Sequence, residues 1–268
     1  MNRVVKGVAT AVAVMAASGG PTWAGGIELA PHRAVYSMGL ATIKPGAGLA
    51  GANGTMTYEF ADACDGWVVE NRIAITYSYT EGGQALSTTD FITWESKDGL
   101  KYRFRMRNTR DGEVTEEVEG SAELKPKGQG GVAHFTRPEP VTIDLPKGTV
   151  FPTEHTLRLM AAAERGEHTF LKVVFDGSGT EGPYEVNAVI GRRQDDAPKV
   201  LSPLTSRQPM WPMRMAFFPV SSREAVPEFE MALDYQPNGI ARAIVQSFKS
   251  FSLKGRLESV EPVPRRGC

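Results

Sequence analysis

The feature that most constrains this chain is a side-chain period of two that recurs from end to end. In GWVVENRIAITYSY the odd positions Trp67, Val69, Ile73, Ile75, Tyr77 and Tyr79 are apolar or aromatic, while Glu70, Arg72, Thr76 and Ser78 between them are polar. Such alternation marks a long strand with one buried face. The same pattern recurs in HRAVYSMGLA, GTMTYEFADA, STTDFITWES, LKYRFRMRN, EVTEEVEGSAEL, GVAHFTR, HTFLKVVFDG, YEVNAVIG, MRMAFF, EFEMALDY and IVQSFKSFSLKGRLESVE. Gly82-Gly83, Asp98-Gly99, Asp111-Gly112 and Asn238-Gly239 punctuate these runs as turns. The chain therefore reads as all-β and mainly antiparallel.

One hairpin carries enough information to set its register. Lys101, Arg103, Arg105 and Arg107 share one face of their strand, and Tyr102, Phe104 and Met106 share the other. A two-residue loop at Asp111-Gly112 sets Met106 opposite Glu117 and mixes the faces. An odd loop centred on Gly112 sets Met106 opposite Val118, with Arg107 facing Glu117 and Arg105 facing Glu119, as cross-strand pairing favours. The basic row then reads as a solvated charge ladder in preference to an anion-binding strip. One helix is expected, in FPTEHTLRLMAAAERGE, with Thr153 as N-cap, Leu157, Met160 and Ala161 at helical spacing, and Gly166 as its stop. A lone amphipathic helix in such a chain covers or plugs an open end of the sheet, and His155 in its first turn reads as a packing residue.

The amino terminus sets the compartment. Arg3 and Lys6 precede an apolar run from Val8 to Ala17, which loosens at Ser18-Gly19-Gly20-Pro21 and ends in Thr22-Trp23-Ala24. This is the pattern of a secretory signal peptide, residues 1–24, cleaved after Ala24. The run is about ten residues, short of the roughly twenty that cross a bilayer, and no later segment is long and apolar enough to do so. The expected product is one β domain, residues 25–268, outside the cytoplasm and not membrane-spanning. The full chain's 30 Lys and Arg nearly balance its 31 Asp and Glu, and without Arg3 and Lys6 the domain keeps 28 against 31, which gives no electrostatic case for nucleic acid.

Compartment in turn informs the cysteines, Cys64 and Cys268. Cys268 is the last residue, whereas a prenylation signal places its cysteine four from the end. His32, His134, His155 and His168 are scattered without metal-ligand spacing. An even pair of cysteines in an oxidising compartment reads as a disulfide. It would close most of the domain into one loop, worth at most about 5 kcal/mol in loop entropy.

Catalytic signatures are sparse. GSGTEG, residues 177–182, matches a dinucleotide fingerprint, but Pro183 and the strand YEVNAVIG follow where that fold needs a helix, so it reads as a hairpin turn. The chain has no G-x-S-x-G elbow, no S-x-x-K, no H-E-x-x-H and no P-loop Gly-Lys. No catalytic residue, metal site or cofactor is therefore assigned. The segment APKVLSPLTSRQPMWPMRMAFFPVSSREAVPEF sets six prolines around Trp211, Met213, Met215 and Phe217, which alternate onto one face. They form either a core face on a proline-bounded edge strand or an adaptable apolar groove for lipid or peptide.

Several stretches carry a family resemblance: HRAVYSMGL, GTMTYEFADACDGW, DFITWESKDGLKYRFRMRN, LPKGTVFPTEHT, FDGSG and NGIARAIVQSFKSFSLKGRL. Together they resemble the EipB family, the cell-envelope-integrity proteins of the Gram-negative periplasm. The resemblance implies a β-spiral, an incomplete barrel of many antiparallel strands similar in outline to periplasmic lipoprotein carriers, and a disulfide that falls here on Cys64 and Cys268. It implies no catalytic residue. The expected function is non-enzymatic support of envelope integrity through a periplasmic protein partner or other envelope component. A carrier of a lipid or lipoprotein acyl chain is the alternative, and a cell-wall hydrolase or transferase the second. Mass analysis of the secreted protein without reductant is expected to find no free thiol, and Cys268→Ser to lower the thermal midpoint with the fold retained. Two freely alkylated thiols would contradict the pairing.

Overall fold

A computed structural model describes residues 26–195, 202–205 and 208–264. The expected signal peptide and Cys268 lie outside the described residues. The strands are β1 (His32–Ile43), β2 (Leu49–Asp62), β3 (Gly66–Tyr79), β4 (Gln84–Ser96), β5 (Lys101–Arg110), β6 (Glu113–Leu124), β7 (Gly131–Arg137), β8 (Val141–Leu145) and β9 (Thr149–Val150). The helix α1 (Pro152–Glu164) follows, then β10 (Thr169–Val174), β11 (Tyr184–Ile190), β12 (Trp211–Pro219), β13 (Phe229–Tyr235), β14 (Ala241–Ser247) and β15 (Phe251–Pro262).

All 15 strands among the described residues belong to one sheet, ordered β8-β7-β6-β5-β4-β3-β2-β1-β15-β14-β13-β12-β11-β10-β9. Almost every pairing is therefore between sequence neighbours. The exception joins the ends of the chain, β1 to β15, from His32 opposite Pro262 to Ile43 opposite Phe251. The two free edges, β8 and β9, are consecutive in sequence, so the rolled sheet has one seam, and α1 enters there. This is the all-β chain with one main helix that the residues imply, rolled into the incomplete barrel that the family resemblance implies.

The seam closes through side chains. Tyr102, Phe104, Phe135 and Leu145 from the β5–β8 edge bury Phe151, just before α1, and Phe175, just after β10, in one cluster. Tyr102 stacks on Phe151 with ring centroids 4.9 Å apart, and Phe104 meets Phe175 edge-on at 5.5 Å. The Tyr102 hydroxyl donates to the Asp176 carbonyl at 2.9 Å. Gly177 has φ +69°, and a Cβ there would sit 2.4 Å from the Phe104 ring. The glycine-rich GSGTEG stretch thus serves close packing at a turn between β10 and β11. The larger core cluster spans β1–β3, α1 and β10–β15, with Tyr36, Leu159, Met160 and Met213 near its centre. Helix α1 buries Leu159, Met160, Ala162 and Ala163 against it and leaves Arg158 and Glu164 exposed.

Four details depart from the sequence reading. The β5–β6 register is as expected, Met106 opposite Val118, Arg107 opposite Glu117 and Arg105 opposite Glu119. Its cause is different. The loop is the two-residue Asp111-Gly112 turn, both at positive φ. A bulge between Asn108 and Thr109 then shifts the register, leaving Thr115 as the extra residue. On the outer face Glu117 is shared between Arg107, 3.5 Å away, and Arg137 of β7.

Second, the N-cap of α1 is Phe151, which offers no side-chain bond, and Thr153 lies inside the first turn. Glu95 of β4 does the capping from a distance: its carboxylate accepts the N–H groups of Thr153 at 2.7 Å and Glu154 at 2.9 Å. A carboxylate at a helix N-terminus meets both the orphan donors and the dipole. At the other end Gly166, φ +76°, donates to Ala163, and Glu167 donates to Ala162, a Schellman closure.

Third, β12 is an interior strand between β11 and β13, not an edge. Pro212 is tolerated because its carbonyl accepts the Gly191 N–H at 2.7 Å, so its nitrogen faces the same flank, where the β11 ladder ends at Ile190–Met213. In that facing pair the return bond, from residue 212 to the Gly191 carbonyl, is the one the proline forgoes, at the last rung of the ladder. Fourth, IVQSFKSFSLKGRLESVE is two strands. The turn at residues 248–250 carries Phe248, which extends the apolar pattern through the bend. The short β8 and two-residue β9 carry too little alternation to be read.

Candidate functional site

Where β1–β4 face the β13–β14 turn and the first turn of α1, the packing leaves a cavity with two adjoining lobes. The larger has a volume of about 240 Å³ and the smaller about 140 Å³. His32, Tyr58, Asn71, Tyr235 and Gly239 line both. The ladder explains the grouping. Tyr58 stands opposite Asn71, which stands opposite Phe91, and His32 stands opposite Phe60. The period of two puts these side chains on the inner face. Thr153 and Thr156 of α1 and Asp176 beyond β10 complete the larger lobe.

The polar groups here are unusual. His32 is 2% exposed; its Nδ1 donates to the Ala30 carbonyl at 2.7 Å, and its Nε2 has no partner among the described residues. Burial holds the ring below the usual histidine range, with the Ala30 bond a smaller opposing effect, so Nε2 presents a lone pair. The buried Oδ1 of Asn71 also lacks a partner. Burial pushes the Asp176 carboxyl up, although Ser178 donates to it through its N–H at 2.9 Å and its hydroxyl at 2.8 Å. Tyr58 and Tyr102 are raised by burial as well. Among the described residues no Lys or Arg lines either lobe.

The residues singled out from sequence lie elsewhere. Trp211, Met213 and Met215 are buried on the inner face of β12, Met213 at 1% exposure, in the cluster that holds Leu159 and Met160. Phe217 is half-buried and stacks on Phe229 at 4.2 Å. Cys64 is exposed in the β2–β3 turn at φ +68°, its N–H donating to Asp62 Oδ1 at 3.0 Å, and no described cysteine is free. His155 is buried against Phe170, and burial lowers its pKa to about 4, a packing histidine. The cavity residues were missed, yet one signal was available. Asn71 falls on the otherwise apolar odd face between Val69 and Ile73, and a polar residue in an apolar register costs stability unless it has a use.

Three comparisons agree. The sequence model of the EipB-like family matches residues 23–264. The cell envelope integrity protein EipB of Brucella abortus (strain 2308) is 31% identical over 268 residues, covering 93% of this chain and 94% of that protein. A crystal structure of a β-barrel-like protein of a domain of unknown function from Brucella abortus superposes with a TM-score of 0.83 at 29% identity, covering 89% of this chain and all of that one.

Beside the cavity, Glu95 allows a test of these electrostatics. Burial raises its pKa to about 7, outweighing the Thr153 and Glu154 N–H bonds that lower it. Between pH 4.5 and about 7 the folded state then holds a proton that the unfolded chain has lost, so stability falls as pH rises through that window. Asp176 acts in the same direction, and His155 in the opposite one below pH 6.5. Comparison with Glu95→Gln isolates the one carboxyl. Wild-type stability minus variant stability, from urea melts, is expected to drop by on the order of 3 kcal/mol between pH 4.5 and 7. A difference independent of pH would contradict the burial effect.

Proposed function

This chain belongs to the EipB-like family, and on that premise we propose that it is a secreted, non-enzymatic protein that supports cell-envelope integrity by binding another envelope component. The observation that carries the binding is the two-lobed cavity. It is concave, rich in aromatic side chains, and holds a few convergent polar groups, as small-ligand sites do. The acyl-carrier reading is weaker. It asks for a wholly apolar hollow, and Trp211, Met213 and Met215, the face read for it, are core residues that line neither lobe. An acyl chain in the cavity would leave His32 Nε2 and Asn71 Oδ1 against hydrocarbon, at about 1–3 kcal/mol each.

The expected disulfide fits this reading as a clasp. His32 lies opposite both Pro262 of β15 and Phe60 of β2, so β15 runs out two strands from the β2 end that precedes Cys64. Neighbouring strands are about 4.8 Å apart, and the few residues after Pro262 span that separation when extended, at roughly 3.3 Å each. The family membership supports a role in the envelope, and the leader supports export.

The test is a strain of the source organism lacking this gene, challenged with detergent and with a chelator. Loss of resistance, restored by the full chain but not by one lacking residues 1–24, is the expected result. Unchanged resistance in the deletion strain, or equal rescue by the leaderless chain, would overturn the proposal.

A further inference from the structure

Resting on the reading that this protein binds an envelope component, we propose that the component carries a saccharide ring and that the two-lobed cavity receives it, with His32 and Asn71 as hydrogen-bonding anchors and Tyr58 and Phe60 as apolar wall. The argument begins from groups that the fold leaves unsatisfied. Buried polar atoms are almost always paired, yet His32 Nε2 and Asn71 Oδ1 are buried without partners, and both residues line both lobes. Two unpaired polar groups on residues that wall one space mark a site whose partner is a ligand or ordered water.

The chemistry of the walls narrows the ligand. His32 Nε2 needs a donor, because Nδ1 carries the ring proton towards Ala30. Among the described residues no Lys or Arg lines the lobes, so an anion finds no counter-charge there. Arg242 is felt electrostatically at Tyr36, but it does not line either lobe. An ammonium group is a donor only, whereas the lining also brings a hydroxyl donor in Tyr58; the Thr156 hydroxyl already donates to the Pro152 carbonyl. A sugar hydroxyl both donates and accepts, and so satisfies either kind of wall group.

Shape agrees with this. A saccharide ring has hydroxyls around its rim and an apolar C–H face. The cavity offers His32 and Asn71 beside the Tyr58, Phe60 and Phe91 rings, with His32 and Tyr58 centroids 5.7 Å apart. The lobes together reach the lower end of the roughly 300–1,000 Å³ typical of ligand pockets, room for one or two rings and no more.

The experiment is ligand-observed NMR on the purified secreted protein with glucose, galactose, N-acetylglucosamine and its β-1,4 disaccharide, with decanoate as the acyl probe. At least one saccharide is expected to bind while decanoate does not, and binding is expected to move the ¹⁵N resonance of His32 Nε2 in the wild type. Asn71→Leu removes the unpaired amide at similar volume. It should keep or raise the thermal midpoint and weaken the saccharide by at least about tenfold, the loss of one good hydrogen bond. A disaccharide that binds more tightly than its monomer assigns the ligand to a glycan chain, and equal affinity assigns it to free sugar; both support the site. Absence of saccharide binding, decanoate binding as tight as any sugar, an unmoved His32 resonance, or a folded Asn71→Leu chain with full affinity would each overturn it. Such a failure in a protein that still restores detergent resistance removes this inference alone. Failure to restore resistance removes the envelope reading instead.

Discussion

The packing of Phe151 and Phe175 into the aromatic edge of β5–β8 is the interaction on which the rest of the structure depends. A sheet of 15 strands that pairs almost wholly between sequence neighbours has no ladder to fix its final curvature. Its ends must be held by something else, and exposed edges of this kind invite pairing with other chains. Here β8 and β9 are the edges, and rings from both sides of the seam interlock around Phe104 and Phe175. Gly177 and Gly120 permit the close approach, since a Cβ at either would strike the Phe104 ring.

The cavity follows from how that seam is made. The chain leaves the edge at β9 and turns inward as α1, and Glu95 reaches across from β4 to hold the first turn of the helix by its N–H groups. That fixes Thr153 and Thr156 as one wall. The opposite wall is the β13–β14 turn, where the Ala30 N–H donates to the Asn238 carbonyl at 2.9 Å. Between these walls the inner face of β1–β3 carries His32, Tyr58 and Asn71, too polar to pack shut and too buried to be ordinary surface. Electrostatics there are dominated by desolvation: Glu95 and Asp176 are held up and His32 is held down. Burial thus disfavours charge in and beside the lining, a setting suited to an uncharged, hydroxyl-bearing partner.

Most of the strands, the helix and the β5–β6 register were legible in the sequence because period two is a direct image of a sheet with one buried face. What stayed hidden was non-local. Thr153 reads as a cap by local preference, but the fold supplies Glu95, and nothing in the first turn of α1 announces a carboxylate from β4. Pro212 reads as an edge signal, but the fold places it on an interior strand, at the last rung of the β11 ladder, where its missing donor forgoes one return bond. Trp211, Met213 and Met215 draw attention by composition and are core. Asn71 was visible as an interruption of an apolar face, while His32 and Tyr235 became neighbours only when β1 met β15 and β13 curved round to face it.

Hydrogen exchange measured residue by residue on Phe175→Ala tests most directly whether side chains, rather than a ladder, close the sheet. If they do, removing that ring loosens the seam first. Amides of β7, β8 and β10 should lose protection together, while the β1–β15 ladder, from His32–Pro262 to Ile43–Phe251, keeps most of its own. Loss of protection spread evenly over all the strands, or an unchanged seam, would contradict the account.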